Sequence, residues 1–526
     1  MLTDVLAALL TPALSGLAFS FVLEQLHAPR PRLPWQRDPA DLLLHSGLWL
    51  VLYLLELVQF GRPWLAMGLT CSIFYVLLLV NRAKFDALQE PFLYQDFEYF
   101  VAAFKHPRLY LPFFGFFKIL VCLSTVGLAL WLGIALESAL ARSFAPEQVW
   151  LAGLVVLLLA AVMLYAAQGH QPLLSFKPNA DFKQRGLLAL LWHYAWAERH
   201  KPVLANLAQH STLGRVSLAS ADQTLYDTVV VQSESFFDPR RAFSLIKPGI
   251  LSEFDRACRA SVCFGPLAVT AWGANTVRTE FSFFSGIDSS LLGIDQFNPY
   301  RRVVSAGLPS LAREFKKKGY RTVCLHPYPA SFYQRDKIFS LLGFDEFIDL
   351  KSFTQPEQQL GPGPYVSDQV LTEKILETFA RPRQQPLFIF AITMENHGPL
   401  HLEHLAKSEE QQWLSEPLPK NCQELSIYLR HLANADQMIS QLLQRFSAAP
   451  SSARPIQLLW YGDHVPVLAK VYAQLGLPDG HTEYFLWRSD ECRRLAAVRS
   501  SVDTVTRQTP APQPLGVHQL AAELLR

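Results

Sequence analysis

Residues 228–235 read Thr228-Val-Val-Val-Gln-Ser-Glu-Ser235, a β-branched run that ends in small polar residues around a glutamate. The run does not alternate between apolar and polar positions. This pattern predicts a strand covered on both faces, as in a parallel sheet. The segment therefore indicates a layered α/β fold with a carboxylate at the point where the strand ends.

Three more runs of this kind follow along the chain, at Arg321–Leu325, Pro386–Thr393 and Pro455–Tyr461. Segments with helical spacing accompany them, at Leu308–Lys318, Ser367–Phe379 and Leu425–Phe446. Helical patterns that alternate with such strands predict an α/β domain with a mostly parallel, helix-covered sheet. We assign this domain to residues 223–526, after a connector at 177–222.

Carboxylates and imidazoles follow the four strands directly. The strands continue into Ser233-Glu234-Ser235, His326-Pro-Tyr, Met394-Glu-Asn-His397-Gly and Gly462-Asp463-His464. Ligands of open α/β sheets bind at the carboxyl ends of the strands, so we expect these groups to meet at one edge. The oxygen and imidazole donors of Glu234, Asp463 and His464, with no thiolate, suit Mn, Mg or Zn.

A fifth segment, Gly273-Ala-Asn-Thr276-Val-Arg-Thr-Glu-Phe281, combines a small-residue turn with a helix start. A hydroxyl there could face the backbone N–H groups of a helix N-terminus, which bind anions. Metal coordination lowers the pKa of a hydroxyl and makes it a nucleophile. The residues alone leave the choice of nucleophile open between Thr276, Ser235, Thr270 and Thr279.

The first part of the chain, residues 1–176, contains five uncharged or nearly uncharged stretches of about 20 residues, the length that crosses a bilayer as a helix. They are Val5–Leu23, Leu42–Phe60, Pro63–Val80, Ile119–Leu136 and Gln148–Ala167. Between the third and fourth, aromatic residues mixed with charges predict interfacial helices over about 83–112. The expected fold is an N-terminal transmembrane α-helical bundle followed by the α/β domain.

Composition narrows the function classes. The chain of 526 residues is 50% hydrophobic and 17% charged, which excludes disorder, and 47 Lys+Arg against 45 Asp+Glu give no basic surface for nucleic acid. Seven cysteines without a CxxC pair leave the redox compartment open. Basic residues cluster in the first and third loops between the spans, and the positive-inside rule would therefore place the C-terminal domain in the cytoplasm.

Five motifs taken together carry a resemblance to a known family. They are Gln232-Ser-Glu-Ser-Phe236; Gly273-Ala-Asn-Thr276 with Glu280-Phe281; His326-Pro-Tyr with Phe332-Tyr-Gln-Arg335-Asp336 and Leu342-Gly-Phe-Asp345; Thr393-Met-Glu-Asn-His397-Gly-Pro399; and Tyr461-Gly-Asp-His464. In order and spacing this series is similar to the lipoteichoic acid synthase and phosphoglycerol transferase family, sulfatase-like enzymes of the alkaline phosphatase superfamily. The resemblance covers about residues 227–487 and includes five preceding spans.

The resemblance implies a site and a reaction. One divalent metal ion, most often Mn²⁺ with Mg²⁺ or Zn²⁺ possible, would be held by Glu234, Thr276, Asp463 and His464. Thr276 would be the nucleophile, and His326, Arg335 and His397 would contact the phosphate or glycerol of the substrate. Phosphoglycerol would pass from phosphatidylglycerol to a glycan, a polymer or water. The resemblance also implies a catalytic domain outside the inner membrane, against the charge count.

The sequence departs from the family's motifs at several positions, which leaves alternatives for the activity. Asn275 precedes the expected nucleophile and Val277-Arg278 follow it, where polymer-making members often have lysine before and acidic residues after. A phosphoethanolamine transferase and a non-catalytic membrane sensor or assembly factor are alternatives. A sulfatase-type hydrolase is disfavoured, because Cys263-Phe-Gly-Pro-Leu267 lacks the C/S-x-P-x-R context in which formylglycine forms.

Overall fold

The computed structural model describes residues 2–98, 114–168, 173–200, 204–216, 224–305, 307–353, 364–450, 453–491 and 511–526. The chain forms two compact units, Met1–His200 and Lys201–Arg526. The boundaries predicted from the sequence, 1–176, 177–222 and 223–526, stay a prediction.

The first unit is helical. Its helices are α1 Leu2–Glu24, α2 Pro39–Phe60, α3 Pro63–Leu88, α4 Phe116–Leu136, α5 Pro146–Gln168, α6 Pro178–Arg185 and α7 Leu187–Ala197. By length and composition, α1 to α5 can each cross a membrane, which confirms the prediction of about five spans. The predicted interfacial segment at 83–112 is described only to residue 98, where a 3₁₀ turn covers Tyr94–Asp96; residues 99–112 lie outside the described part.

Local sequence explains where the helices begin and end. Asp38 precedes α2 and its side chain accepts a hydrogen bond from the Ala40 N–H at 2.8 Å, while Pro39 takes the first helical position. Both are favourable at a helix start. Gly61 ends α2 with a positive φ of 61°, which glycine adopts without strain. The α2–α3 connection is therefore a tight turn set by its own residues.

A buried charge layer, formed by Glu24, Arg37, Asp41, Arg185 and His193, joins α1 and α2 to α6 and α7. Arg37 Nη1 lies 2.5 Å from Glu24 Oε2, and Arg185 Nη1 lies 3.3 Å from Asp41 Oδ2. His193 Nε2 lies 3.0 Å from Asp41 Oδ1. Buried charges are tolerated only when they are paired, so these contacts fix α6 and α7 to the bundle.

The second unit is an α/β domain. Its strands are β1 Asp227–Ser233, β2 Cys263–Ala268, β3 Arg321–Leu325, β4 Glu346–Ile348, β5 Leu387–Ile392, β6 Ile456–Gly462, β7 Thr482–Arg488 and β8 Leu515–Gly516. Its helices are α8 Leu204–Gln209, α9 Leu213–Val216, α10 Ser252–Arg259, α11 Thr276–Ser285, α12 Pro299–Arg302, α13 Leu311–Lys317, α14 Arg335–Leu342, α15 Asp368–Ala380, α16 Lys407–Glu410, α17 Gln423–Ser447, α18 Ala469–Leu475 and α19 Val517–Glu523.

The strands form one sheet in the order β4-β3-β5-β1-β6-β7-β2-β8. The first five strands in this order, β4, β3, β5, β1 and β6, are parallel to one another. Strand β7 runs antiparallel to both of its neighbours, β6 and β2. All four strands predicted from the sequence lie in the parallel part. The mostly parallel, helix-covered sheet is therefore confirmed.

Helices cover both faces of the sheet, as the unbroken apolar runs predict. Val229 and Val231 of β1 belong to one hydrophobic cluster, which includes residues of α17. Val230, between them, belongs to a second cluster with residues of α11 and α13. Since successive strand residues point to opposite faces, all three valines are fully buried. This burial on both sides fixes the position of β1, whose carboxyl end carries Glu234.

Asp436 of α17 supplies a pH-dependent contribution to stability. Its carboxylate accepts hydrogen bonds from the N–H groups of Glu253 (3.0 Å) and Phe254 (2.7 Å) at the start of α10. Burial raises the pKa of Asp436 to about 6. Because this carboxyl has a higher pKa in the folded state than in the unfolded state, the free energy of unfolding decreases as the pH rises from about 4 to about 6.

We therefore expect the stability of Asp436→Asn relative to wild type to increase from pH 4 to pH 8. Because the asparagine NH2 faces one of the two N–H donors, the variant also loses a hydrogen bond at both pH values. The change between the two pH values should be about 1–2 kcal/mol, which is less than the whole shift in pKa would give. Thermal unfolding of the full chain in detergent at the two pH values measures it. An equal difference between variant and wild type at both pH values would show that the carboxylate charge is not the cause.

Candidate active site

The pairing of β1 with β6 brings the predicted metal ligands together. The two strands are parallel, with Ser233 opposite Gly462. The residues that follow, Glu234 on one strand and Asp463 and His464 on the other, therefore leave the sheet at the same edge. One ligand atom from each of the three lies within 4.8 Å of the others, and all three residues are buried.

The donor atoms of this cluster suit a divalent cation. The Nδ1–H of His464 donates to the Val465 carbonyl oxygen at 3.1 Å, which leaves the Nε2 lone pair facing the carboxylates. Nε2 lies 3.3 Å from Asp463 Oδ2 and 3.6 Å from Glu234 Oε1. Asp463 Oδ2 is buried, and none of the residues that the structure describes donates a hydrogen bond to it. A buried oxygen without a donor, beside a second carboxylate and an imidazole nitrogen, fits a metal ligand.

The electrostatics point the same way. Burial, and then the charge of Glu234, raise the pKa of Asp463 to about 7. The His464 ring, the Ser235 N–H and the nearby Thr276 hydroxyl oppose this shift without cancelling it. The buried carboxylates of Glu234 and Asp463, with ligand atoms within 4.8 Å of each other, repel when both are ionised. A bound cation would compensate their negative charge. Glu234, Asp463 and His464 could therefore hold a metal, as the sequence predicted.

Thr276 lies at the first position of α11, next to this cluster. Asn275 before it has a positive φ of 64°, which turns the chain so that the helix starts at Thr276. The Thr276 hydroxyl lies 3.5 Å from His464 Nε2, the nitrogen that faces the carboxylates. Thr279 instead donates to the backbone oxygen of Asp463 at 2.9 Å, and Thr270 lies 3.4 Å from Thr279.

Ser235, the remaining hydroxyl considered from the sequence, organises the ligands. Its N–H donates to Asp463 Oδ1 at 2.9 Å and its hydroxyl donates to Glu234 Oε1 at 2.8 Å. Ser235 has a positive φ of 55°, a strained conformation for a residue with a side chain. Its contacts on both carboxylates offset that strain. The sequence held a signal for this role in the serines that flank Glu234.

Gly462 allows the two strand ends to approach. A Cβ atom at this position would lie 1.8 Å from the backbone oxygen of Phe236. Because backbone cannot move aside as a side chain can, only glycine fits here. The glycine before Asp463 is thus required for the close approach of β6 to the turn that carries Glu234.

Arg335, predicted to contact phosphate, lies in a second buried group. Its Nη2 and Nε atoms donate to the two carboxylate oxygens of Glu280, at 2.9 and 3.3 Å. Its Nη1 lies 3.2 Å from His326 Nε2. Burial, and then the Arg335 charge, lower the pKa of His326 well below its usual value. His326 is therefore a neutral imidazole that accepts a hydrogen bond, and Arg335 presents a fixed cation.

Glu280 has a role that the sequence did not predict. It is fully buried and accepts hydrogen bonds from the Tyr300 hydroxyl and, at 3.2 Å, from Gln232 Nε2. Its position, four residues after Thr276 on α11, places it on the same helix face as the predicted nucleophile. Glu280 thus connects the Arg335 group to the strand that carries Glu234.

We expect Glu280→Gln to destabilise the protein by about 3 kcal/mol, because it leaves the buried Arg335 without its counter-ion. The melting temperature of the full chain measures this. Glu377→Gln is the matched control, since Glu377 pairs with Lys374 at 2.8 Å but has a 58% exposed side chain. The control should change stability by less than about 1 kcal/mol. Equal losses in the two variants would contradict the role assigned to Glu280.

His397 stands at the end of β5, in the loop that begins at Thr393. It is half-buried, and its Nδ1 lies 2.7 Å from the Gly398 carbonyl oxygen. Glu395, two residues earlier, accepts hydrogen bonds from the Asp368 N–H (2.7 Å) and from Asn434 Nδ2 (2.6 Å). These contacts anchor the loop to α15 and α17. The role of His397 toward a substrate stays a prediction.

The mostly parallel sheet gathers two carboxylates and an imidazole at its strand ends, and Thr276 at the start of α11 lies beside them. The family whose description is Sulfatase matches residues 227–510, more than half of the chain. The chain therefore belongs to the sulfatase family, and the resemblance found in its motifs is confirmed at this level.

Individual proteins show the same likeness. The capsular polysaccharide biosynthesis protein RkpI of Rhizobium meliloti is 27% identical over 484 residues, which span 87% of this chain and 83% of that protein. The phosphoethanolamine transferase EptA of Neisseria meningitidis superposes with a TM-score of 0.53 at 14% identity, covering 88% of this chain and 87% of that structure. The phosphoglycerol transferase GacH of Streptococcus pyogenes gives a TM-score of 0.43 at 19% identity, covering 62% and 93%.

Proposed function

We propose that this chain is a membrane-anchored phosphotransferase that moves phosphoglycerol from phosphatidylglycerol to an acceptor, with Thr276 as the nucleophile. The observation that supports it most directly is the position of the Thr276 hydroxyl, 3.5 Å from the nitrogen of His464 that faces Glu234 and Asp463. Ser235, Thr270 and Thr279 hold their hydroxyls in other contacts, as described above. Thr276 is thus the hydroxyl best placed to form an ester beside the carboxylate cluster.

Glu234, Asp463, His464 and Thr276 would hold the divalent ion. When bound, such an ion supplies positive charge to the phosphoryl oxygens and lowers the pKa of the threonine hydroxyl. Mn²⁺, Mg²⁺ and Zn²⁺ all accept oxygen and imidazole donors. We propose Mn²⁺ as the ion in cells, by analogy with the family that the motifs resemble.

The reaction proceeds in two balanced steps. The Thr276 oxygen attacks phosphorus and forms a P–O bond, the bond from phosphorus to the diacylglycerol oxygen breaks, and diacylglycerol leaves with the threonine proton. An acceptor hydroxyl then attacks phosphorus, the Thr276 ester bond breaks, and threonine regains a proton. The fixed charge of Arg335, beside neutral His326, stabilises negative charge on the phosphoryl oxygens, and His397 lies at the half-buried edge for contact with the glycerol.

The five candidate spans would anchor the chain in the membrane, where the proposed lipid donor is located. We place the second unit outside the inner membrane, against the charge count of the loops. A reporter that is active only in the periplasm, fused after Arg526, tests this placement. Activity of a cytoplasm-only reporter at the same position would contradict both the placement and an extracytoplasmic donor.

The function itself is tested with the full chain reconstituted in vesicles of phosphatidylglycerol or of phosphatidylethanolamine. We expect diacylglycerol release from phosphatidylglycerol that depends on Mn²⁺ and stops with a chelator. Release from phosphatidylethanolamine alone would assign the protein to phosphoethanolamine transfer instead. The absence of release from both lipids, with a metal-loaded protein, would favour a non-catalytic sensor.

A further inference from the structure

Three exposed basic residues form a cation cluster at one end of the helical unit. They are Arg30 and Arg32, in the connection between α1 and α2, and Lys183 of α6. The Arg32 N–H donates to the Lys183 carbonyl oxygen at 2.7 Å, so the connection and α6 are held together. Gln25 links the two arginines, because its Oε1 accepts from Arg30 Nε at 3.3 Å and its Nε2 donates to the Arg32 carbonyl oxygen at 3.4 Å.

The positive charge of the cation cluster is not balanced by the carboxylates around it. Among the residues that the structure describes, none forms an ion pair with a member of the cluster. In the buried charge layer, Glu24 and Asp41 are already paired with other arginines. Asp38 is exposed, and its carboxylate caps α2. The cluster therefore has a surplus of positive charge that an anion from outside the chain can neutralise.

An exposed apolar strip leads along α1 to the cation cluster. It consists of Phe19 and Val22 of α1 and Leu26 of the turn that follows, which are 49%, 59% and 55% exposed. Their spacing of three and four residues places them on one face of the helix. Leu26 comes directly after Gln25, which contacts both arginines, so the strip ends at the cluster. Since α1 can cross a membrane, the strip would face acyl chains.

Trp35 indicates the depth of the cluster in a membrane. It lies in the 3₁₀ turn Pro34–Gln36, three residues after Arg32, and is 77% exposed. Tryptophan is enriched at membrane–water interfaces, where its amphipathic ring lies at the level of the head groups. An exposed tryptophan beside unpaired cations, at the end of an apolar strip, is therefore typical of a segment at the level of lipid phosphates.

The opposite end of the bundle has fewer cations. The Leu140 N–H donates to the Gly61 carbonyl oxygen at 2.9 Å, which places the α2–α3 and α4–α5 connections at that end. The basic residues of these connections are Arg62 and Arg142. Arg62 Nε donates to the Glu137 carbonyl oxygen at 2.8 Å, whereas Arg142 is exposed. The cation cluster is thus a feature of one end of the helical unit.

We propose that the cation cluster binds the phosphate of an anionic phospholipid whose acyl chain lies along the apolar strip of α1. Arginine can bind phosphate through two parallel N–H bonds, and lysine adds a point charge. A soluble anion would contact the cations but would gain nothing from the strip or from Trp35, so the observations favour a lipid. The site lies within the first unit and uses none of the residues assigned to catalysis. It therefore goes beyond the proposed function.

A lipid-binding role also explains the charge count of the loops. Arg30 and Arg32 belong to the first loop, whose basic residues the positive-inside rule would place in the cytoplasm. With the second unit outside the membrane, as proposed above, these arginines face the outer leaflet. Binding of an anionic head group gives them a function on that side.

Native mass spectrometry of the full chain tests the lipid selectivity. The chain is released from detergent micelles that contain phosphatidylglycerol and phosphatidylcholine with the same acyl chains at equal concentration. We expect phosphatidylglycerol to be retained at least about fivefold more often, since one Lys or Arg near a head group contributes a preference of about this size. Higher salt in the micelle solution should reduce the preference.

Variants locate the site. Arg30→Gln/Arg32→Gln/Lys183→Gln should reduce the preference for phosphatidylglycerol to about twofold or less. Arg30→Lys/Arg32→Lys keeps the charges and should retain most of it. Arg142→Gln removes the exposed cation at the opposite end and is the matched control, which should leave the preference unchanged. The melting temperatures of these variants, whose substitutions are all at exposed positions, should equal that of wild type.

Two results would overturn the inference. One is equal retention of the two lipids by wild type, and the other is an unchanged preference in the triple variant. Displacement of the lipid by free glycerol phosphate at the same concentration would identify a site for soluble anions and would also contradict it.

The inference and the proposed function fail separately. Thr276→Ala should retain phosphatidylglycerol as wild type does, because the cation cluster contains no catalytic residue. Selective retention without diacylglycerol release would contradict only the proposed function. Diacylglycerol release without selective retention would contradict only the lipid site.

Discussion

Thr276→Ala is expected to lower the rate of diacylglycerol release from phosphatidylglycerol by at least about 10³-fold, because it removes the nucleophile of a covalent mechanism. The fold should persist, since Thr276 occupies the first position of α11, where alanine is a good helix former. Lipid turnover in reconstituted vesicles measures the loss. Mass spectrometry of the wild-type protein after incubation with lipid should show one added phosphoglycerol group, which the variant lacks.

Thr276→Ser is the matched control, because it keeps a hydroxyl on the same backbone position. We expect it to retain a measurable rate and to accumulate the modified form. Thr279→Ala removes a hydroxyl that is bound to the Asp463 backbone oxygen and should keep the covalent adduct. An adduct on Thr276→Ala, or normal turnover by it, would show that another residue is the nucleophile.

We expect Asp463→Asn to leave the stability of the metal-free protein unchanged or to raise it, and to reduce the stabilisation that metal binding gives. Without metal, it removes the repulsion between two buried carboxylates, so the variant should melt at or above the wild-type temperature at pH 8. With Mn²⁺ at about 100 times the wild-type dissociation constant, wild type should gain about 3 kcal/mol and the variant less than about 1 kcal/mol. Melting with chelator and with Mn²⁺ measures both.

The sign of the metal-free effect follows from the pKa of Asp463. Its folded value of about 7 lies above the unfolded value, so the ionised group costs stability that grows as the pH rises from about 4 to about 7. Elemental analysis should find bound metal in wild type and little in Asp463→Asn. Asp479→Asn, at a 56% exposed site, is the control. A variant that is less stable than wild type in chelator at pH 8 would contradict the assignment of a cation site.

Much of the sheet could be predicted because its central strands are buried on both faces. Unbroken apolar runs appear wherever a strand is covered on both faces, and this signal located β1, β3, β5 and β6. The short strands β4 and β8 have too few residues for any pattern. Strand β2 contains Gly265 and Pro266, residues that usually weaken a strand, and its pairing with β7 and β8 explains its extended form.

The site residues that directly follow a strand could be predicted, whereas those on helices were harder to recognise. Glu234, Asp463 and His464 each come directly after a buried run, so position along the sheet was enough to group them. Glu280 acts from the interior of a helix, where a lone carboxylate normally faces water. Only its burial against Arg335 reveals its role. Residue patterns describe the neighbours along a chain, and such contacts depend on segments that are distant in sequence.

The buried charge layer of the first unit affects how that unit can be produced. Asp41 is synthesised about 150 residues before its partners Arg185 and His193. During this interval its carboxylate has neither partner, and the packing of α2 cannot be completed. A truncated protein that stops after α5 would lack both partners permanently. Expression of the helical unit alone therefore has to extend through α7.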